Sequence, residues 1–194
     1  MSIRPFLAAG LACAAATVAQ AQPASFACPK PGTVETRAVT TQKYTGISPG
    51  DPYICSVINR LGKSELRLFN LFLLTDINNN EAALAPIKAG MLDLLSGRKT
   101  MANFSATAFN GYILDETWTL LRKEKFTVGG ASFDTLVFDR EIKSDPRGRS
   151  DFHGHYTLWL APSAGLWLKS DLHVISGSTN YYPQAYQDHD ITMP

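Results

Sequence analysis

The chain has 194 residues, 45% of them hydrophobic, and its 18 basic residues nearly balance its 17 acidic ones. This composition is typical of a globular domain and does not fit a disordered chain, collagen or a membrane bundle. The near-zero net charge gives no electrostatic case for nucleic acid or an anionic membrane surface as a partner.

Residues 1–21 predict a cleaved export signal. Arg4 precedes an apolar run over residues 6–18, and an Ala-Gln-Ala sequence then offers a small-x-small cleavage site. The run of 13 residues is shorter than the roughly 20 that a membrane span needs. Lipidation of Cys13 is the disfavoured alternative. Cleavage would leave a single β-rich domain, residues 22–194, in the periplasm or outside the cell.

Cleavage also leaves two cysteines, Cys28 and Cys55. Two cysteines in an oxidising compartment permit a single pairing, so a structural Cys28–Cys55 disulfide is expected. No Cys-x-x-Cys spacing is present to suggest a metal or redox site.

The first half of the domain predicts short strands. Thr33–Tyr44 is rich in Thr and Val and predicts one strand or a hairpin, and Tyr53–Asn59 predicts the next strand. Glu65–Leu74 is the most apolar stretch after the signal. Its length does not distinguish a buried strand from a helix, and we favour the strand.

One helix is predicted, around residues 81–96. Pro86 indicates that the helix either begins there or kinks there. The apolar residues of this segment keep the spacing of one helical face: Leu84, Ile87, Met91, Leu94 and Leu95.

The second half predicts a β-meander whose strands are separated by Gly-, Asn- and Pro-rich turns. The predicted strands are Ala102–Ala108, Tyr112–Val128, Ser132–Ile142, Phe152–Leu160 and Leu166–Ile175. The tail Tyr181–Pro194 has no pattern and is placed along the sheet, with Asp188-His189-Asp190 facing solvent. The predicted fold class is mainly β, a strongly curved antiparallel sheet forming a half-barrel or open barrel, with one packed helix.

Several segments of the sequence resemble those of a family of exported bacterial β-proteins, which is classed as a domain of unknown function. The segments are Leu92–Lys99, Trp118, Phe126–Val137 and Tyr156–Leu166, and the resemblance spans roughly residues 90–175. It implies a half-barrel broadly similar to the periplasmic carriers of lipoproteins. It implies no catalytic residue.

The last predicted hairpin gathers three histidines. With residues 161–165 as its loop, Trp159 would face Trp167 and His153 would face His173 on a polar face that also carries His155. A His-x-His pair with a third His on the next strand resembles, in spacing alone, the three-His zinc site of carbonic anhydrases. The alternative is a solvated sheet face without a metal.

The long strand Tyr112–Val128 places Glu116 among apolar residues. A carboxylate in an apolar lining can orient a ligand, or it can pair with an arginine such as Arg140 or Arg122. The candidate ligand-lining residues are Tyr112, Leu114, Glu116, Trp118 and Leu158.

Two functional hypotheses follow. The first is an envelope protein, not an enzyme and without a cofactor, that holds an apolar small molecule, a lipid or a partner segment on its curved sheet. The second is a zinc-binding protein or metal-dependent hydrolase that uses His153, His155 and His173. Enzymatic activity is not expected under the first hypothesis.

Overall fold

The structure is a computed structural model that describes residues 25–38, 40–74, 81–107, 113–144, 151–178, 185–188 and 190–194. The predicted export signal, including Cys13, lies outside these residues, as does Tyr112. Two antiparallel six-stranded sheets and one helix make up the described part, and the sheets do not close into a barrel. The mainly β fold with one helix is therefore confirmed, while the strands divide between two sheets instead of continuing as one.

The first sheet has the strand order β12-β1-β2-β3-β4-β5. Its strands are β1 Val34–Arg37, β2 Thr40–Ile47, β3 Ile54–Ile58, β4 Ser64–Leu68, β5 Phe72–Leu73 and β12 Asp190–Thr192. The stretch from Thr33 to Tyr44 is a hairpin, and the strand predicted over Tyr53–Asn59 is β3. The apolar stretch Glu65–Leu74 is not one strand but two, because Phe69 and Asn70 adopt positive φ values of 50° and 54° and reverse the chain.

The helix α1 runs over Glu81–Leu95, as the apolar spacing predicts. Pro86 lies inside the helix, in its second turn, rather than at its first position. Ile87, Met91 and Leu94 form its buried face, and the helix packs on the strand that follows it. No helical segment in the described part of the chain is long and apolar enough to cross a membrane.

The second sheet has the strand order β11-β10-β9-β8-β7-β6. Its strands are β6 Met101–Thr107, β7 Ile113–Val128, β8 Ala131–Ser144, β9 His153–Ala161, β10 Leu166–Ser176 and β11 Tyr186–Gln187. A turn at Gly129 and Gly130, both at positive φ, joins the long strands β7 and β8. A register shift between Leu120 and Arg122 reverses the side-chain alternation of β7. The side chains of Leu114 and Val128 therefore lie on opposite sides of the sheet.

The predicted register of the β9–β10 hairpin is wrong. Trp167 lies opposite Leu160, a bulge follows between Trp167 and Lys169, and Trp159 lies opposite Lys169. His173 consequently lies opposite His155 and not opposite His153. The prediction assumed that only one face of the hairpin is apolar, but both faces are covered where the hairpin turns. The bulge can therefore send Trp167 to one side and its leucine neighbours to the other without exposing either.

Two apolar clusters hold the fold together. The main core lies between one face of the second sheet, α1 and the β4–β5 turn, and its largest side chains are Trp118, Trp167, Phe138, Phe69, Phe152 and Tyr156. A smaller cluster joins the first sheet to the opposite side of the β9–β10 turn through Tyr44, Val57, Ile191, Leu166 and Leu168. The tail links both sheets, because β11 pairs with β10 and β12 pairs with β1.

Candidate metal centre

Four of the five predicted ligand-lining residues are among the described residues, and they lie in or against the main core. Trp118, Glu116 and Leu158 are buried, and Leu114 packs partly buried against the same cluster. Phe72 contacts the ring of Trp118, with ring centroids 5.9 Å apart. Side chains of α1 and β5 belong to the same cluster and cover these residues.

Glu116 takes the second of the two roles considered for it, that of an ion-pair partner. Arg140 Nε donates to Glu116 Oε2 at 2.8 Å and Arg140 Nη2 donates to Oε1 at 2.5 Å. Trp118 Nε1 donates a third hydrogen bond to Oε2 at 2.8 Å. The carboxylate is thus fully engaged by the protein. Of the two arginines considered, Arg140 is the partner, whereas Arg122 pairs with the neighbouring Glu124.

His153 and His155 lie two residues apart on β9, so both side chains point to the face of the sheet opposite the main core. Glu141 lies opposite His155 on β8. His153 Nε2 is 2.9 Å from Glu141 Oε1, and His155 Nε2 is 3.7 Å from the same oxygen. The sheet therefore directs two imidazole nitrogens and one carboxylate oxygen to one point.

Asp139 orients the ring of His155. The Nδ1 atom of His155 lies 3.1 and 3.0 Å from the two carboxylate oxygens of Asp139. Because a carboxylate only accepts, Nδ1 carries the proton of this hydrogen bond, and in the neutral ring the lone pair is then on Nε2. A carboxylate behind a histidine in this way is the usual support of a metal-ligating imidazole.

Lys143 and Glu141 form a further ion pair at this point. Lys143 Nζ lies 2.7 Å from Glu141 Oε1, and the lysine side chain is 55% exposed. Hydrogen bonds from Lys143 and then from His153 hold the pKa of Glu141 below its usual value. The carboxylate is therefore ionised near neutral pH, and a cation already neutralises it.

Glu141, His153 and His155 offer ligand atoms that all lie within 4.8 Å of one another. In the described part of the chain no other group of three or more His, Cys, Asp or Glu residues meets this distance, and His173 does not belong to the group. His173 is exposed on β10. The structure thus brings together two of the three predicted histidines, with a glutamate that the sequence reasoning missed.

The signal for Glu141 and Asp139 was present in the alternation of β8. Asp139 and Glu141 alternate with the buried Phe138 and Ile142, so they share one polar face of that strand. The histidine hypothesis considered only the hairpin between β9 and β10. The pairing of β8 with β9, which lies outside that hairpin, places Glu141 opposite His155.

The predicted disulfide is present. Cys28 and Cys55 are bonded, with Cα atoms 5.3 Å apart, and the bond fastens the segment before β1 to strand β3. The prediction that Asp188 faces solvent is wrong. Asp188 is 2% exposed and accepts a hydrogen bond from Arg37 Nε at 2.7 Å. The tail packs against the fold because β11 pairs with the second sheet and β12 pairs with the first sheet. His189 lies outside the described residues.

No family model matches the chain, and no curated protein matches it. Among solved structures, the hypothetical lipoprotein YmcC from Escherichia coli K12 is similar with a TM-score of 0.47 and 12% identity. The match covers 84% of this chain and 83% of that chain. Nothing about function follows from a likeness of this size.

Proposed function

We propose that this chain is an exported envelope protein that binds a divalent transition-metal ion through Glu141, His153 and His155. The observation that carries the proposal is the convergence of their three ligand atoms within 4.8 Å. The role proposed is binding rather than catalysis, on the outer face of the second sheet.

The donor set suits such an ion. Two imidazole nitrogens and a carboxylate oxygen are ligands that Zn²⁺ accepts, and three protein ligands leave a fourth position for water. The carboxylate contributes the negative charge that a cation needs. An ion seated between the three groups would replace the hydrogen bond from His153 and the ammonium of Lys143. The Asp139 contact would remain as support for His155.

The disulfide supports the export part of the proposal. Disulfide bonds form and persist in oxidising compartments such as the periplasm, and Cys28–Cys55 is bonded here. Expression with the full leader, followed by intact-mass measurement of the periplasmic product, tests this directly. A product that begins at Gln22 supports it. A retained leader, or a diacylglyceryl mass on Cys13, contradicts it.

Calorimetric titration with Zn²⁺ tests the metal site, on protein purified without a histidine tag and stripped with EDTA. We expect one ion per chain. His153→Ala and His155→Ala should each abolish saturable binding, and Asp139→Asn should weaken it about 10- to 100-fold through loss of support for His155. His173→Ala is the matched control, because that histidine lies on the same face of the sheet outside the group.

The outcomes separate the alternatives. If none of the variants differs from the parent, or no ion binds in excess of adventitious sites, the proposal is wrong. If His173→Ala abolishes binding while Glu141→Gln does not, the ligands are the three histidines of the sequence-based hypothesis. Ester hydrolysis by the zinc-loaded parent that is absent from His153→Ala would favour the hydrolase alternative over a binding role.

A second candidate is a carrier of an apolar small molecule, a lipid or a partner segment. The observation in its favour is that one face of the second sheet is aromatic and apolar and is covered by α1. Ligand entry would require α1 to separate from β6. Native mass spectrometry of protein from its own periplasm tests this candidate. The carrier role is supported if a lipid co-purifies with the parent protein and is absent from a variant in which a designed disulfide joins α1 to β6. A lipid that still co-purifies with that variant would contradict the carrier role.

A further inference from the structure

A cavity of about 660 Å³ lies on the first sheet. Its walls come from β1, β2 and β4, from the turn after β3 and from the tail strand β11. The volume is within the range of about 300–1,000 Å³ that small-molecule sites occupy. None of the residues of the candidate metal centre lines this cavity, so the two sites are independent.

A continuous chain of hydrogen bonds crosses the walls. Arg37 Nη2 donates to Glu35 Oε1 at 2.6 Å, and Gln42 Nε2 donates to the other oxygen of Glu35. Arg67 Nη1 donates to Gln42 Oε1 at 3.1 Å and Nη2 to Glu65 Oε2 at 2.5 Å. These polar groups are held in place before any ligand arrives, which lowers the ordering cost of binding.

The lining has one cation without a partner. Three arginines line the cavity, and two of them are neutralised, Arg37 by Glu35 and Arg67 by Glu65. Arg60 lies in the turn between β3 and β4, is exposed, and makes no hydrogen bond or ion pair with the rest of the described chain. The cavity therefore presents one uncompensated positive charge at its rim.

A nearby carboxyl does not cancel that charge. Asp188 also contacts Arg37, but burial and the adjacent Glu35 raise the pKa of Asp188 to about 9. At neutral pH the two carboxyls thus carry about one negative charge between them, which Arg37 balances. The charge of Arg60 remains available to a ligand.

The remaining lining is neutral and mixes hydrogen-bonding side chains with the apolar Leu61 and Ala185. Thr40 brings a hydroxyl group, which donates to the carbonyl oxygen of Arg37 at 3.0 Å and can still accept a hydrogen bond. The ring of Tyr186 is stacked beneath the guanidinium of Arg37 at 3.7 Å. We propose that the cavity binds a small hydroxylated molecule with one negative charge, of the sugar-acid class. Its anionic group meets Arg60, and its hydroxyls meet Thr40 and the fixed amide and carboxylate groups of the walls.

Glucuronate and glucose are the probes that test this, because they differ in a carboxylate. The full exported chain, with its disulfide intact and EDTA present, is titrated with each sugar while amide chemical shifts are recorded. We expect saturable shifts from residues 40–42, 59–61 and 185–186 with glucuronate. Glucose should bind at the same residues about tenfold more weakly, since it lacks the charge-assisted hydrogen bond.

Arg60→Ala and Lys63→Ala form a matched pair for the same titration. Both residues are exposed and lie in the same turn, but Lys63 does not line the cavity. Arg60→Ala should reduce the affinity for glucuronate to that for glucose and leave glucose binding unchanged, and Lys63→Ala should change neither. Equal losses in both variants, equal affinity for the two sugars, or no saturable shift at tens of millimolar would each overturn the proposal.

Discussion

Removal of Arg140 should destabilise the protein severely, because it would leave the buried carboxylate of Glu116 without its ion-pair partner. The side chain of Glu116 is 1% exposed and that of Arg140 is 11% exposed. In Arg140→Ala the carboxylate keeps only the hydrogen bond from Trp118. Breaking one partner of a buried ion pair costs about 3–5 kcal/mol, a large share of the roughly 5–15 kcal/mol that stabilises a typical domain.

Replacing both partners should cost much less than the sum of the single changes. Glu116→Leu with Arg140→Met fills similar volume and removes both charges, and such replacements are often neutral or stabilising. The remaining penalty is the unpaired Trp118 N–H, worth about 1–3 kcal/mol. The coupling energy of the pair is therefore expected to be several kcal/mol.

Urea unfolding at pH 7, followed by circular dichroism and tryptophan fluorescence with the disulfide intact, measures these differences. The matched control is Lys125–Asp134, an ion pair between the same two strands whose side chains are 74% and 86% exposed. Lys125→Ala should cost at most about 1 kcal/mol. Additive losses of under about 1 kcal/mol at Glu116 and Arg140 would refute the reasoning, since they would mean that water reaches the pair.

Three further changes probe other parts of the fold. Cys55→Ala should lower the free energy of unfolding by about 2–5 kcal/mol, because the disulfide closes a loop between cysteines that are 27 positions apart; an unchanged urea midpoint would contradict this. The free energy of unfolding should fall between about pH 4 and pH 9, because native Asp188, with its pKa raised to about 9, keeps a proton that the unfolded chain loses above about pH 4. Asp188→Asn should remove that part of the pH dependence, and a parallel profile in the variant would argue against it. Gly165→Ala should cost at least about 2 kcal/mol, because the residue has a φ of 67° and its Cβ would lie 2.0 Å from the carbonyl oxygen of Ala27; a fully stable variant would show that the N-terminal segment does not pack there.

Local pattern alone determined much of this protein. The apolar spacing from Leu84 to Leu95 predicted the helix, the alternation and turn residues after Ala102 predicted the meander, and the count of cysteines predicted the Cys28–Cys55 bond. Each of these features depends on neighbours in sequence or on a single possible pairing. The polar face with His153 and His155 was predicted for the same reason, since alternation along one strand decides which side chains share a face.

Tertiary structure decided the register, the number of sheets and the membership of each site. The bulge after Trp167 moved His173 opposite His155, and the pairing of β8 with β9 brought Glu141 beside the two histidines. Nor does local pattern show that Asp188 is buried, because its burial depends on two short tail strands that join different sheets. A bulge or a long connection changes little in the local pattern, yet it shifts every later pair of residues, and only the burial gained across the whole fold determines which shift is adopted.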